Sequence, residues 1–338
     1  MRGEIAHGGG LAETANRYGG SPQDWLDLST GINPVPVALP ALEASAWARL
    51  PDRDLVDAAR LAAQRFYGTA PGILPLPVPG TQSLIQRLPA LIGPDSRAAI
   101  LAPTYGEYGR VLRRAGVAVD QIAGLDAVTD AHRLVVVVNP NNPDGRRVFL
   151  AELLGLSERL EKRGGVLVVD EAFADADPAE SLAGEAGVQR GLIVFRSFGK
   201  FFGLAGLRLG FLVADPETAA RIQSELGPWA VSGPALAVAA GVMRDGDAIA
   251  RLRASIAERH GAMKRVLADA GLTVRGGTAL FFLVEHERAA TLHDELCRRR
   301  ILVRAFDYAP NWLRFGLAPD AASDARLASA LAASRVRG

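Results

Sequence analysis

Short, continuous apolar runs alternate with helical patterns through the middle of the chain. Because a strand covered on both sides is apolar on both faces, such runs are typical of a buried sheet. The runs occupy residues 98–102, 134–138, 166–169, 192–195 and 207–213, and helical spacing covers residues 105–115, 149–162 and 179–186. This alternation predicts an α/β fold with a mainly parallel sheet.

Helical patterns also precede and follow this region. They cover residues 11–18, 54–67, 81–91, 217–226, 235–243 and 247–270. From residue 272 the pattern changes to strands at 272–274, 279–285, 301–304 and 312–317, with helices at 288–299 and 321–332. The sequence therefore predicts an N-terminal arm at 1–40 that joins the small domain and the active site, a large domain at 41–240, and a small α+β domain at 241–338.

Length and composition limit the classes of function. The chain has 338 residues, a formal net charge of +1 and one cysteine, Cys297. A single cysteine excludes an intramolecular disulfide, and the near-neutral charge gives no general attraction to nucleic acid or to membranes. No apolar run approaches the ~20 residues of a membrane span, and the N-terminal residues lack an apolar signal core. We therefore expect a cytoplasmic enzyme that acts on a small molecule.

Five polar side chains lie at the carboxyl ends of the predicted strands. In open α/β sheets, ligands bind beyond the carboxyl ends of the strands. The residues at these ends are Tyr105, Asn142, Asp170, Ser197 and Lys200. Each also has an ordinary structural interpretation, since a tyrosine can belong to the core, an asparagine to a turn and an aspartate to a helix cap. Their order along the chain favours one shared pocket.

Lys200 lies among small and apolar neighbours, in Ser-Phe-Gly-Lys-Phe-Phe-Gly-Leu-Ala-Gly-Leu-Arg. Desolvation favours a neutral amine, which can form a Schiff base with an aldehyde cofactor. Ser197 and Arg208 flank the lysine with a hydroxyl and a guanidinium that suit a phosphate monoester. Gly80 and Thr81 begin a predicted helix, whose amides would also favour an anion. The alternative interpretation is a strand–loop–strand with a solvated lysine.

One cofactor accounts for these side chains together. Asp170 can keep a ring nitrogen protonated, which makes the ring an electron sink. Asn142 can donate to a ring oxygen, and Tyr105 can stack on the ring face. The hydroxyls and the guanidinium described above can bind a phosphate. The sequence therefore predicts a pyridoxal 5′-phosphate (PLP) site with Lys200 as its amine.

The chain resembles the class I/II aminotransferases of PLP fold type I along nearly its whole length. The resemblance lies in Tyr105, Asn-Pro-Asn-Asn-Pro-Asp-Gly at 139–145, Asp-Glu-Ala-Phe at 170–173, Ser-Phe-Gly-Lys at 197–200 and Gly-Leu-Arg-Leu-Gly at 206–210. It implies a large domain with a seven-stranded, mainly parallel sheet between helices, and a small α+β C-terminal domain. It also implies a homodimer, because the sites of this fold lie at a subunit interface.

Further segments resemble one branch of that group, whose members decarboxylate O-phospho-L-threonine in cobalamin biosynthesis. These are His-Gly-Gly at 7–9, Ser-Thr-Gly-Ile-Asn-Pro at 29–34, Pro-Thr-Tyr-Gly-Glu-Tyr-Gly-Arg at 103–110 and Pro-Trp-Ala-Val-Ser at 228–232. The resemblance implies a carboxy-lyase that forms (R)-1-aminopropan-2-yl phosphate. The alternative is a histidinol-phosphate-type aminotransferase. A non-catalytic PLP-binding regulator is disfavoured, because no basic DNA-binding module precedes the fold.

The resemblance also assigns roles to single residues. Lys200 matches the Schiff-base lysine and Asp170 the partner of the pyridine nitrogen, and Tyr105 joins them in the catalytic set and contacts the cofactor. Arg314 matches the arginine that binds the substrate carboxylate. The remaining assignments are cofactor binding by Gly80, Thr81, Gln82, Asn142, Ser197 and Arg208, and substrate binding by His7, Gly8, Gly31, Asn142 and Arg304. No metal ligand is assigned.

The sequence departs from the family pattern at several positions. Phe173 stands where many aminotransferases have a tyrosine that gives its hydroxyl to the cofactor, and we hypothesise that this change favours a non-transaminating outcome. Leu50 replaces a common tyrosine that reaches the cofactor phosphate of the second subunit. Gly31 stands where the pattern can have asparagine, and the spacing between Arg304 and Arg314 is shorter than usual. The expected substrate contacts therefore differ in detail from the pattern.

Overall fold

The computed structural model describes residues 8–93, 95–178 and 181–335, so the predicted substrate residue His7 lies outside the described residues. The helices are α1 (Leu11–Tyr18), α2 (Ala44–Ala48), α3 (Arg53–Tyr67), α4 (Thr81–Ile85), α5 (Leu88–Ile92), α6 (Glu107–Arg114), α7 (Leu150–Glu161), α8 (Phe198–Phe201), α9 (Pro216–Leu226), α10 (Gly233–Val242), α11 (Gly246–Asp269), α12 (Ala289–Arg298) and α13 (Ala321–Arg335). The strands are β1 (Leu26–Asp27), β2 (Leu76–Val78), β3 (Arg97–Leu101), β4 (Ala118–Ile122), β5 (His132–Val138), β6 (Val166–Asp170), β7 (Leu192–Ser197), β8 (Gly210–Val213), β9 (Thr273–Thr278), β10 (Phe281–Glu285), β11 (Ile301–Leu302), β12 (Arg304–Ala305) and β13 (Trp312–Gly316).

The described chain divides into two compact units. The large unit comprises residues 37–142 and 147–252, and the small unit comprises residues 8–36, 143–146 and 253–335. The segment 143–146 thus belongs to the small unit, although the chain on both sides of it belongs to the large unit. Within the described ranges, no helix is long and apolar enough to cross a membrane.

A seven-stranded sheet forms the centre of the large unit, in the order β2-β8-β7-β6-β5-β3-β4. The strands from β3 to β7 pair in parallel, whereas β8 runs antiparallel to both of its neighbours, β2 and β7. Four of the apolar runs in the sequence form β3, β5, β6 and β7. The predicted α/β fold with a mainly parallel sheet is therefore confirmed.

Helices cover both faces of this sheet. One buried cluster combines Tyr108 and Leu112 of α6 with strand residues such as Val136 and Val168. The other cluster combines the apolar residues of α7 with the alternate strand residues, among them Val169. Because successive side chains of a strand point to opposite faces, the two clusters lie on opposite sides of the sheet.

Single residues explain two differences from the predicted elements. The predicted helix at 81–91 is divided into α4 and α5, because Pro89 has no amide hydrogen to continue the helical hydrogen bonds. The predicted strand at 207–213 begins only at Gly210. It begins late because Arg208 adopts a left-handed backbone conformation, with a φ of 52°.

The predicted helix at 179–186 is wrong for residues 181–186, where a turn at 183–185 is followed by an isolated bridge at Ala186. The carboxylate of Glu171 accepts hydrogen bonds of 2.6 Å from the Leu182 amide and from the Ser181 hydroxyl. A side chain therefore satisfies a backbone donor here, and such bonds compete with helix formation.

The small unit contains a four-stranded antiparallel sheet in the order β12-β13-β10-β9 and a parallel pair of β1 and β11. The predicted strand at 301–304 is divided between the two sheets, because β11 pairs with β1 whereas β12 pairs with β13. In this register, Arg304 lies directly opposite Arg314. A buried ion pair between Arg259 and Asp324 joins α11 to α13.

Candidate active site

The antiparallel strand β8 brings three segments of the large unit together at one edge of the sheet. Gly210, its first residue, pairs with the last residue of β2 and with Ser197, the last residue of β7. Gly80 and Thr81 follow β2, and Arg208 lies two residues before the start of β8. The register thus gathers the hydroxyls and the guanidinium that the sequence predicts to bind a phosphate.

Close packing leaves no room for further side-chain atoms in this group. A Cβ atom on Gly80 would lie 2.9 Å from Nη2 of Arg208, and one on Gly210 would lie 3.0 Å from the Thr81 amide nitrogen. Gly80 also has a φ of 73°, which favours glycine. The left-handed backbone of Arg208 costs an L-residue about 1–2 kcal/mol. Backbone strain of this kind concentrates at functional sites.

Asp170 is the last residue of β6 and is 5% exposed. Tyr108 donates a hydrogen bond of 2.6 Å to its Oδ2 atom, and the Ala172 amide donates one of 3.0 Å to its Oδ1 atom. Burial raises the pKa of Asp170 above its ordinary value, while these two hydrogen bonds and the charge of Lys200 oppose the rise. The carboxylate is therefore held in one orientation, where a cationic partner would stabilise it.

Lys200 lies in the short helix α8, which directly follows β7. Its Nζ atom is 5.6 Å from the centre of the Phe173 ring, and its charge lowers the pKa of Asp170. Gly199 allows the turn to pack closely, because a Cβ atom there would lie 2.6 Å from Cα of Ala205. The amine and the carboxylate that the sequence predicts for one cofactor therefore interact electrostatically.

Tyr105 belongs to a polar network just before α6. Its hydroxyl donates to Oε1 of Gln82 at 3.4 Å, and Nε2 of Gln82 donates to the buried carboxylate of Glu107 at 2.9 Å. Arg110 donates to the same oxygen of Glu107 at 2.7 Å. Burial, with the charges of Glu107 and Asp170, raises the pKa of Tyr105 to about 12. The hydroxyl therefore stays protonated at neutral pH and remains a donor.

The turn that carries Asn142 is held by its buried neighbour Asn141. Oδ1 of Asn141 accepts a hydrogen bond of 2.6 Å from the Thr104 hydroxyl, and Nδ2 donates one of 2.9 Å to the Pro103 carbonyl. The amide of Asn139 donates to the last carbonyl of β6 at 2.9 Å. These bonds tie the turn after β5 to the loop after β3 and to the end of β6.

Four predicted substrate residues belong to the small unit, and three of them lie around Ser29. A Cβ atom on Gly8 would lie 2.6 Å from the Ser29 carbonyl oxygen, and the Gly9 amide donates to the Ser29 hydroxyl at 2.8 Å. Nη2 of Arg314 donates to the same carbonyl at 2.7 Å. Gly31 is buried two positions further along the chain. The glycine-rich start and the loop after β1 therefore pack around one arginine.

The fourth substrate residue, Arg304, forms a pair of cations with Arg314 across β12 and β13. The buried guanidinium of Arg314 lies 5.1 Å from the centre of the Phe281 ring, and that of Arg304 lies 5.4 Å from the centre of the Phe306 ring. Burial and the charge of Arg304 lower the pKa of Arg314 to about 10, so it stays charged at neutral pH. Two adjacent guanidinium groups favour a ligand with more than one negative charge.

Three residues with a part in these networks have no role in the sequence prediction. Tyr108 holds the carboxylate at the end of β6, Glu107 holds the Gln82 amide, and Asn141 holds the turn after β5. Tyr108 has a sequence signal, because it follows Tyr105 by three residues in the segment predicted to be helical, where residues three apart are neighbours. The other two are polar residues whose partners become apparent only from the tertiary structure.

We expect Tyr108→Phe to weaken the hold on Asp170 and to keep the fold. The variant loses a hydrogen bond to a buried carboxylate, which costs about 1.5–3 kcal/mol of the free energy of unfolding. Because the lost bond favours the ionised form, the pKa of Asp170 should rise further. Urea unfolding at neutral pH measures the change in free energy.

The matched control is Tyr18→Phe, because the Tyr18 hydroxyl bonds Asp294 at 2.9 Å and that carboxylate is partly exposed. Water can replace the lost bond there, so this variant should cost clearly less stability than Tyr108→Phe. Equal losses of stability in both variants would contradict a special role for the bond between Tyr108 and Asp170.

The chain matches the model of the family "aminotransferase class I and II" over residues 23–331. It is 60% identical over 332 residues to the threonine-phosphate decarboxylase of a Sinorhizobium species, which covers 98% of this chain and 99% of that protein. The threonine-phosphate decarboxylase of Pseudomonas aeruginosa is 44% identical, and the match covers 97% of each protein.

Among solved structures, the histidinol-phosphate aminotransferase from Sinorhizobium meliloti in complex with pyridoxal-5′-phosphate has the same fold, with a TM-score of 0.83. Its sequence identity is 21%, and the match covers 100% of this chain and 96% of that one. The predicted resemblance and the predicted fold are thus both confirmed. The chain belongs to the aminotransferase class I and II family, whose members bind pyridoxal 5′-phosphate.

Proposed function

We propose that this chain decarboxylates O-phospho-L-threonine to (R)-1-aminopropan-2-yl phosphate, with PLP as its cofactor. The observation that carries the proposal is the 60% identity to a threonine-phosphate decarboxylase along 98% of the chain. The side chains support it, because the large unit supplies an amine and a buried carboxylate, and the small unit supplies a pair of cations. These groups suit a cofactor with a charged ring and a substrate with two acidic groups.

The residues of the large unit fit PLP. Arg208 supplies a positive charge, and Thr81 and Ser197 supply hydroxyl donors at the same edge of the sheet. A Cβ atom on Gly80 would lie 2.9 Å from Nη2 of Arg208, so a larger residue there would displace the guanidinium. Burial raises the pKa of Asp170, so this carboxylate gains most from a cationic partner such as a protonated ring nitrogen.

When bound, the cofactor supplies an aldehyde that reacts with amines and a protonated ring that accepts the electron pair of a bond broken at the substrate α-carbon. Asp170 keeps the ring nitrogen charged, and Tyr108 keeps Asp170 ionised and oriented. Tyr105 stacks against the ring. Lys200 binds the cofactor and holds at Nζ the proton that the α-carbon receives in place of the carboxylate.

The arginines of the small unit orient the substrate. Arg314 binds the substrate carboxylate, and Arg304, with Gly8 and Gly31, completes the contacts to the amino acid and its phosphate. The orientation of the substrate would decide which bond at its α-carbon breaks when the cofactor is bound. Groups held in advance by Ser29 and by strand pairing lose little freedom when the substrate binds, which favours one pose.

Incubation of the holoenzyme with O-phospho-L-threonine in the absence of a 2-oxo acid tests the proposal. We expect release of one CO2 and one aminopropanol phosphate for each substrate consumed. Histidinol phosphate with 2-oxoglutarate is the comparison for the aminotransferase alternative. Conversion that needs a 2-oxo acid and releases no CO2 would overturn the decarboxylase proposal.

Phe173→Tyr should increase transamination as a side reaction. The ring of Phe173 is close to Nζ of Lys200, so a tyrosine would place a hydroxyl beside the amine and the cofactor. One added hydrogen bond should lower the pKa at which the absorbance of the bound cofactor changes, by about one unit. A spectral titration measures this shift, and an assay for pyridoxamine 5′-phosphate measures the side reaction.

Phe149→Tyr is the control for Phe173→Tyr, because Phe149 is exposed at the start of α7. The same hydroxyl added there should leave the spectrum and the products unchanged. If Phe173→Tyr also keeps the wild-type spectrum and products, the hypothesis about the reaction outcome is wrong.

We also propose that the chain acts as a homodimer. Leu39, Trp47, Leu50 and Trp229 of the large unit are 59–70% exposed, and we call them the apolar surface. Pro51, which follows Leu50, and Trp229 line one cavity, so the segments around residues 50 and 229 lie side by side. Exposed apolar groups of this size mark interaction surfaces. A second copy of the chain is the partner that the family resemblance implies.

Trp47→Glu should weaken this dimer. A buried tryptophan at an interface contributes about 2–4 kcal/mol, so the dissociation constant should increase about 100-fold. Sedimentation velocity over a range of protein concentrations measures the change. Phe149→Glu is the control, because Phe149 is 76% exposed and lies outside the apolar surface. A wild-type protein that stays monomeric at all concentrations would contradict the proposal.

A further inference from the structure

A buried cluster of charges that none of the roles above uses lies behind the carboxyl ends of β6 and β7. Arg196 is 2% exposed, Glu171 0% and Asp175 1%. Nη1 of Arg196 pairs with Glu171, and Nη2 pairs with Asp175. Nη1 also donates to the Ser181 hydroxyl at 2.9 Å, and this hydroxyl donates to Glu171 at 2.6 Å. The Arg196 guanidinium lies 4.6 Å from the centre of the Tyr67 ring.

The cluster occupies the positions next to two of the proposed site residues. Arg196 directly precedes Ser197 on β7, and Glu171 directly follows Asp170 at the end of β6. The Glu171 amide donates to the Phe195 carbonyl at 2.9 Å, so the pairing of the two strands continues to these residues. Because successive side chains alternate, Arg196 and Glu171 point to the face opposite to Ser197 and Asp170.

We propose that Arg196 is a positioning residue for the cofactor site and acts through Glu171 and Asp175. The cluster lies where two strands end. The chain leaves the sheet after β6, and after β7 it continues into α8, which carries Lys200. Apolar side chains would fill the space without fixing its geometry. A planar guanidinium that binds two carboxylates fixes both distance and angle. The cluster thereby sets the separation between the Asp170 carboxylate and the Lys200 amine.

The two carboxylates of the cluster keep their positions only while the Arg196 guanidinium is present. Burial alone would lower the pKa of Arg196, but Asp175 and Glu171 outweigh this effect, and the pKa lies above its ordinary value. Loss of the guanidinium would leave two buried carboxylates close together, which repel each other or take up protons. Either response moves the end of β6 and, with it, Asp170.

Three variants of the holoenzyme test this inference. Arg196→Met removes the charge and keeps most of the length, whereas Arg196→Lys keeps the charge but lacks the planar fork that fixes the two carboxylates in distance and angle. A triple variant of Arg196→Met, Glu171→Gln and Asp175→Asn also removes the repulsion, so it provides a folded comparison if the single variant is unstable. For each variant we would measure Tm, the spectral titration of the bound cofactor, kcat and KM.

We expect the triple variant to have nearly the wild-type Tm and an altered site. The pKa at which the absorbance of the bound cofactor changes should shift by about half a unit or more. Such a shift would report that the carboxylate or the amine has moved. The kcat should fall about tenfold or more, because small misplacements of reacting groups have large effects on rate. KM should change little, and Arg196→Lys should lie between the wild type and Arg196→Met.

Arg259→Met is the matched control, because Arg259 forms a buried ion pair with Asp324 in the small unit. It should lose stability and keep the wild-type spectrum and kcat. A folded triple variant with the wild-type spectrum and kcat would overturn the inference. So would an equal spectral shift in Arg259→Met and Arg196→Met.

The inference rests on the proposed function for its kinetic measurement alone. A wild-type protein that binds PLP and releases no CO2 would refute the proposed function, and the spectral titration would still test Arg196.

Discussion

Lys200→Ala should abolish the release of CO2 from O-phospho-L-threonine. In the proposed function, the substitution removes both the amine that binds the cofactor and the group that returns a proton to the substrate. Loss of a positioned acid or base alone lowers a rate by about 10²–10⁴-fold, so the combined loss should leave no measurable turnover. Trapping of CO2 over long incubations measures the residual rate.

Reduction with borohydride gives a second measurement that does not depend on turnover. The chain contains three lysines, Lys162, Lys200 and Lys264. The wild type and Lys264→Ala should both carry the reduced cofactor on residue 200, as shown by mass spectrometry of the digested protein. An adduct on another lysine, or turnover retained in Lys200→Ala, would refute the assignment of this amine.

Asp170→Asn should lower kcat by about 10²–10³-fold. The amide has the shape of the carboxylate and can accept the Tyr108 hydrogen bond, but it cannot hold a ring nitrogen in the charged form. Removal of one such electrostatic contact commonly costs this factor. Steady-state assays at a saturating cofactor concentration measure the change. Asp130→Asn is the control, because its exposed carboxylate pairs with Arg163 at the surface, and it should keep the wild-type kcat.

The same substitution should stabilise the cofactor-free protein at neutral pH. Burial raises the folded-state pKa of Asp170 above the ordinary value of 3.8. Its contribution to stability is therefore present below that value and is lost as the pH rises through the raised pKa. Asp170→Asn avoids this loss, so its advantage in Tm should grow between about pH 4 and neutrality. An advantage that stays constant with pH would contradict the argument.

The buried strands of the large unit could be predicted because they are covered on both faces. Their apolar runs end abruptly, and polar residues that follow the runs fall at the edge of the sheet where ligands bind. This is why Asp170 and Lys200 could be placed near one another from the sequence. Their roles toward a cofactor remain proposals, as do those of the substrate residues.

Other parts could not be predicted because their signal depends on partners far along the chain. The edge strand β4 is mostly exposed or half-buried, so it lacks an apolar run. Tyr108 and Asp170 are 62 positions apart, and no local pattern indicates their hydrogen bond. The opposition of Arg304 and Arg314 depends on a strand that exchanges one partner for another at Val303.

The left-handed backbone of Arg208 affects which substitutions would stabilise the protein. Its backbone conformation suits glycine, so a library of variants screened for heat resistance alone should enrich Arg208→Gly. The enriched variants would lack Arg208, the only cation among the residues assigned to bind the cofactor phosphate. Screens for higher thermal stability should therefore be run with a limiting amount of PLP. Cofactor binding is then selected together with stability.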